Sequence, residues 1–143
     1  MKTKALFLEI VCFLFILLFL YTAFSKLADF ETFRVQLGRS PLVTDISKLV
    51  AWGVPALEIL LAGLLMFGRT RKVGLYGSYT LMVIFTAYIM AILNFSDVNP
   101  CSCGGVVTKL SWSDHFVLNI LFTSAAAIAV LVYPATIAKR QIQ

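Results

Sequence analysis

Charge is scarce in this chain. Only 13 % of its 143 residues are Asp, Glu, Lys or Arg, where a water-soluble domain carries about 25 %. An ordinary hydrated surface is therefore excluded. Histidine occurs once, as His115, and no C-x2-C spacing is present, so the usual cysteine–histidine zinc site lacks its ligands. No internal repeat, low-complexity tract or linker divides the sequence, and one domain over residues 1–143 is expected. The formal charge of +5 flanks apolar blocks without forming a patch, which argues against nucleic acid as a partner.

What is present in excess is apolar residues, 60 % of the chain, gathered into blocks. Ala5 to Phe24 carries one charge, Glu9, and Leu49 to Gly68 carries one, Glu58. Val73 to Leu93 and Phe116 to Tyr133 carry none. Each is near the roughly 20 residues that let a helix cross about 30 Å of hydrocarbon. Lipid offers backbone groups no hydrogen bonds, so such segments must be helical. The expected fold is all-α, a four-helix transmembrane bundle with spans at about 5–24, 49–68, 73–93 and 115–133. The first block follows a basic start, Lys2 and Lys4, as a secretory signal would. Its apolar run exceeds the roughly 7–15 residues of a signal core, and no A-x-A site follows; a retained helix is expected.

Orientation is read from the basic residues beside the spans. Lys2 and Lys4, then Arg69, Arg71 and Lys72, then Lys139 and Arg140, all fall on one side of a four-pass chain. That side is expected to be cytoplasmic, with both termini on it. The first connection dilutes Lys26, Arg34, Arg39 and Lys48 among Asp29, Glu31 and Asp45, and the third has only Lys109. Both are expected outside.

The first connection is more than a loop. Leu27, Phe30, Phe33 or Arg34, and Leu37 recur at helical spacing, and Gly38 with Pro41 ends the pattern. A short amphipathic interfacial helix between helices 1 and 2 is expected, as a plain anchor on the membrane surface or as a lid over a site. Pro55, in the second span, withholds one backbone hydrogen bond and should bend the helix. Gly74, Gly77 and Ser78 in the third span let helices approach closely, and Ala125, Ala126 and Ala127 in the fourth span can do the same.

A carboxylate inside a bilayer is costly unless it is protonated, paired or wet. Glu58 should face the bundle interior, and the cation within reach is Lys26 at the end of the first span. The pair can fix packing, or it can handle protons. The last span opens with SWSDHFVLN, where Ser113 or Asp114 can cap the helix, Asp114 suits its positive end, and Trp112 suits the interface. His115 and Asn119 are four apart and share a face. A lone histidine is commonly structural. This one lies twelve residues beyond Cys103, on the same side of the membrane, and imidazole can lower a thiol's pKa.

Cys101 and Cys103 stand in NPCSCGGVV. A disulfide needs Cα atoms about 4.4–6.8 Å apart, which residues i and i+2 reach only in a tight turn, with Gly104 and Gly105 next door to supply flexibility. Such a ring is strained and readily reduced. It closes almost no loop and is a poor staple. The pair therefore reads as a redox couple on the oxidising side of the membrane. A metal clip stays open, with Cys101, Cys103 and His115 holding a soft ion such as Cu(I), as do a structural bridge and idle thiols. Cys12 lies toward the cytoplasmic end of the first span and reads as a small buried apolar residue.

Together, Phe24-Ser25-Lys26-Leu27, Pro55-x-x-Glu58, and CSCGG followed by Leu110-Ser111-Trp112 make the chain resemble the DoxX-like superfamily, and within it the MauE-type redox-associated group. The resemblance covers nearly the whole chain. It implies a bacterial inner-membrane protein in periplasmic disulfide chemistry, beside a thioredoxin-like protein or another cysteine-containing substrate. Other DoxX-like proteins are tied to quinone or thiosulfate oxidation. Methylamine itself follows from none of these residues.

The leading expectation is a membrane thiol–disulfide oxidoreductase, or an accessory to one. In it Cys101 and Cys103 cycle, His115 favours the thiolate, and Glu58 with Lys26 carries protons or shapes the pocket beneath. With one cysteine pair in the chain, either a quinone in the bundle takes the electrons or a separate protein does. The alternatives are a non-catalytic membrane anchor or scaffold with a structural cysteine pair, and a soft-metal-handling membrane protein.

Overall fold

The computed structural model describes residues 2–39, 43–95 and 112–140. Cys101 and Cys103 lie outside the described residues. The described chain is built of helices, with no strand among them. Helix α1 covers Lys2–Ala28, α2 Phe30–Arg39, α3 Ser47–Met66, α4 Arg71–Phe95 and α5 Trp112–Arg140, with a short 3-10 turn at Thr44–Ile46 before α3. Four of these helices are long and apolar enough to cross a membrane: α1, α3, α4 and α5. The chain is a multi-pass, four-helix transmembrane bundle with one short amphipathic helix, as its blocks of hydrophobicity require.

Helices α1 and α5 run past the apolar blocks expected for them, because helical hydrogen bonding does not end where hydrophobicity does. Helix α3 ends earlier, at Met66, since Phe67 is extended (φ −96°, ψ 126°). The turn that follows satisfies its orphan carbonyls. The Thr70 hydroxyl donates to Leu64 O at 2.9 Å, and Arg71 Nε donates to Leu65 O at 3.3 Å. Ser113 and Asp114 fall inside the first turn of α5, whose first residue is Trp112. Neither is therefore its cap, although Asp114 does sit at the positive end of the dipole. Pro55 lies within α3 and withholds the bond to the Ala51 carbonyl, yet the helix continues through it.

The helices pack in a ring. α1 lies against α3, α3 against α4, α4 against α5, and α5 against α1. The core is a dry cluster that includes Cys12, Phe15, Phe19, Leu61, Leu65, Leu75 and Ala126. Outward-facing Leu6, Phe13, Leu17, Met66, Ile84 and Leu131 are large, apolar and exposed, as a lipid-facing surface demands. At one end α3 and α4 touch closely. A β-carbon on Gly74 would lie 3.0 Å from the Leu65 nitrogen, and one on Gly77 would lie 2.5 Å from Leu61 Cδ2. Small residues make this seam, as their placement in α4 implied. Ser78 is buried there and donates to Gly74 O at 2.7 Å.

At the opposite end α2 folds over the bundle. Phe33 and Leu37 are buried against Ala51, and Phe30 packs on Trp52 in a tilted arrangement with ring centroids 4.6 Å apart. The inward position is Phe33. Arg34 is on the outer face, paired with Glu31 at 2.9 Å.

Candidate functional site: a cavity beneath the short helix

The ion pair expected between α1 and α3 is present. Lys26 Nζ lies 2.6 Å from Glu58 Oε1, with side chains 6 % and 1 % exposed. Lys26 can reach because it is in the last turn of α1. Glu58 is on the inward stripe of α3 with Ala51, Pro55, Ala62 and Leu65. The ammonium also lies 5.9 Å from the ring centroids of Phe33 and Phe85, within range of a cation–π attraction. One cation thus joins α1, α2, α3 and α4. The second carboxylate oxygen, Glu58 Oε2, is buried and has no hydrogen-bond partner among the described residues. Thr22, on the same wall, donates its hydroxyl to Phe19 O at 3.3 Å.

A buried pair of this kind is a weak source of stability. Desolvating both charges offsets much of their attraction, and apolar replacements of similar volume are often neutral or better. Its presence in a chain this poor in charge calls for another explanation.

The pair faces a cavity of about 340 Å³. Its walls come from all four spans and α2: Phe19 and Thr22 on α1, Phe33 and Leu37 on α2, Val54 on α3, Ile84, Phe85 and Tyr88 on α4, and His115, Asn119 and Phe122 on α5. Of the five residues singled out in the sequence, the fold brings Lys26, Glu58 and His115 to one cavity. The other two, Cys101 and Cys103, belong to the connection from α4 to α5, outside the described residues. His115 and Asn119 share the cavity-facing side of α5, as their spacing predicted. Tyr88, Phe85 and Thr22 are wall residues that sequence reasoning missed. The available signal was faint: Thr22 and Tyr88 carry hydroxyls inside apolar runs.

A second interhelical ion pair, half exposed, was absent from the sequence reading. Arg71 Nη1 meets Glu9 Oε1 at 2.7 Å at the far end of the bundle, tying α1 to the α3–α4 turn. Cys12 lies in the dry core on that side and is a free thiol. No group of three or more His, Cys, Asp or Glu able to hold a metal is found among the described residues.

The arrangement combines helical order, spacing and a charge pair in one membrane bundle. Residues 4–132 match the family described as methylamine utilisation protein MauE. The chain belongs to the MauE family. The broader DoxX-like placement is compatible with that membership. No curated protein and no solved structure gives a significant match. Within the MauE match fall the whole cavity wall and the Lys26–Glu58 pair.

Proposed function

We propose that this MauE-family protein is a membrane thiol–disulfide redox protein, or an accessory to one, working through Cys101 and Cys103. A partner thiolate attacks one sulfur of the Cys101–Cys103 disulfide. That bond breaks, a mixed disulfide forms, and one cysteine leaves as thiolate. The partner's second thiol then attacks the mixed disulfide. The partner leaves oxidised, and Cys101 and Cys103 hold two electrons and two protons. Run backwards, the same steps reduce the partner. The partner is a thioredoxin-fold or cysteine-containing protein on the periplasmic side of a bacterial inner membrane, with both termini of this chain in the cytoplasm. The family's description makes methylamine utilisation one setting for that partner.

The observation that carries this reading is the cavity with His115, Lys26 and Glu58 at the end of the bundle where α4 leaves and α5 returns. Phe95 ends α4 and Trp112 begins α5, and the cysteine pair lies between them in the sequence. His115, three residues into α5, is the chain's one histidine and lies twelve residues beyond Cys103, and Lys26 with Glu58 offers a proton donor and acceptor below.

Thiol trapping of membranes poised at graded potentials tests the proposal. A reversible two-electron couple is expected at about −120 to −200 mV, the range of known oxidases and isomerases. Partner oxidation should be lost in the Cys101→Ser, Cys103→Ser variant. Unchanged partner oxidation in that variant would sink the proposal and leave the scaffold reading.

A further inference from the structure

We infer that the cavity binds a neutral alcohol with an apolar body, its hydroxyl seated between Glu58 Oε2 and Lys26. This site needs nothing from Cys101 or Cys103. Glu58 is 1 % exposed, yet only its Oε1 is engaged, by Lys26 Nζ at 2.6 Å. Oε2 is buried, and no described side chain gives it a proton. The Thr22 hydroxyl, on the same wall, spends its proton on Phe19 O. A buried carboxylate oxygen that has lost its hydration and gained no donor is expensive, and hydrocarbon offers it none. Glu58 and Lys26 both line the hollow, so a donor held there can reach the carboxylate.

The ligand's chemistry follows from what this corner lacks. Lys26 and Glu58 already cancel each other's charge, so an ammonium or a carboxylate would bring an uncompensated buried charge. A ketone or an ether accepts hydrogen bonds but cannot donate, and leaves Oε2 as it was. A hydroxyl does both. It donates to Oε2 and accepts from Lys26, which gives one N–H to Oε1 and has two more. One oxygen atom thus closes a ring of hydrogen bonds with the ion pair. The rest of the ligand must be apolar, because the wall away from the pair is built from residues such as Phe19, Leu81, Met82, Ile89 and Leu118. Water filling that part would want 2–4 polar partners per molecule and would not find them. The hollow of about 340 Å³ is more than twice the roughly 150 Å³ that holds benzene. It therefore takes a body on the order of ten carbons.

The test uses the full chain in lipid nanodiscs with a diazirine-bearing octanol as photoprobe. Saturable labelling is expected on cavity residues such as Phe85 and Phe122, over a linear background on outward Leu131, which is 78 % exposed. At equal concentration in the bilayer, octanol should displace the label about ten-fold better than methyl octyl ether, a difference of roughly 1.4 kcal/mol. Octylammonium should also displace it less well than octanol. Lys26→Met with Glu58→Leu keeps the hollow and removes its polar corner, so octanol and the ether should then displace the label equally. If that variant unfolds, Ile89→Phe decides: Ile89 is buried and lines the hollow, and the larger ring should abolish saturable labelling. Labelling that is nowhere saturable, that the ether or octylammonium displaces as well as octanol does, or that keeps its preference for octanol in the double variant would overturn the inference. The Cys101→Ser, Cys103→Ser variant should be labelled as fully as the parent. Labelling without a thiol couple thus removes only the redox reading, and a working thiol couple without labelling removes only the alcohol.

Discussion

The most informative residues here are two charges in a chain that has few. Lys26 and Glu58 each sit in a nearly dry position. Removing one partner leaves the other buried and unpaired, a cost of about 3–5 kcal/mol, whereas replacing both with apolar groups is close to neutral. Lys26→Met should therefore lower stability sharply, and Lys26→Met with Glu58→Leu should recover most of it, as read by denaturation in mixed micelles. If the proposed thiol redox role runs through this pair, redox activity should stay lost in the double variant even where stability returns. The glycines of α4 allow a finer comparison. Gly74→Ala sets a methyl against the Leu65 backbone, which cannot rotate away, and should cost about 1–3 kcal/mol. Gly77→Ala meets only the tip of the Leu61 side chain, so a rotamer change absorbs it and the loss should be smaller. Equal losses at the two positions would contradict the close α3–α4 seam.

Among the elements, α2 has the most to explain. An amphipathic helix of ten residues is too short to be stable alone in water, so its order depends on burying Phe33 and Leu37. Its docking on α3 roofs the cavity, which supports the lid reading over the plain anchor. Phe33→Asp should release α2 from the bundle. In hydrogen exchange the amides of Phe30–Arg39 should lose protection while those of α1, α3, α4 and α5 keep theirs. Loss of protection throughout would mean that α2 is part of the bundle's global stability. The same change removes one aromatic face from Lys26. At the other end Arg71 holds Glu9 and the last carbonyls of α3 together. Glu9 is half exposed, and the ion pair itself contributes at most about 1 kcal/mol.

The whole molecule poses a question of sidedness. Basic residues beside the spans predict cytoplasmic termini and a periplasmic α4–α5 connection. A membrane-impermeant maleimide applied to intact spheroplasts should label reduced Cys101 and Cys103 and spare Cys12, which is buried. Labelling of the pair only after lysis would reverse the orientation and remove the periplasmic partner. The cavity makes the bundle asymmetric. One half is a dry core of tightly seamed helices, and the other is hollow, lined with Lys26, Glu58, His115 and Asn119. Proton exchange with that hollow should follow the pH of the α2 side.

The amino-acid order alone was enough for the spans, the interfacial helix and the Lys26–Glu58 partnership. Each follows from a cost that lipid imposes locally: backbone must be helical, and a buried acid needs its nearest cation. It was also enough to give His115 and Asn119 a common face, because helical spacing is a local property. Whether Phe33 or Arg34 turned inward, where α3 ended, and how Arg71 reached Glu9 across 62 positions depended on how the helices met. The cavity depended on it most of all. A hollow is made by side chains that do not touch, from five helices at once, and no local pattern encodes a space. Only the tertiary packing, close at Gly74 and Gly77, decided that the buried charges would line a cavity walled by all four spans and α2.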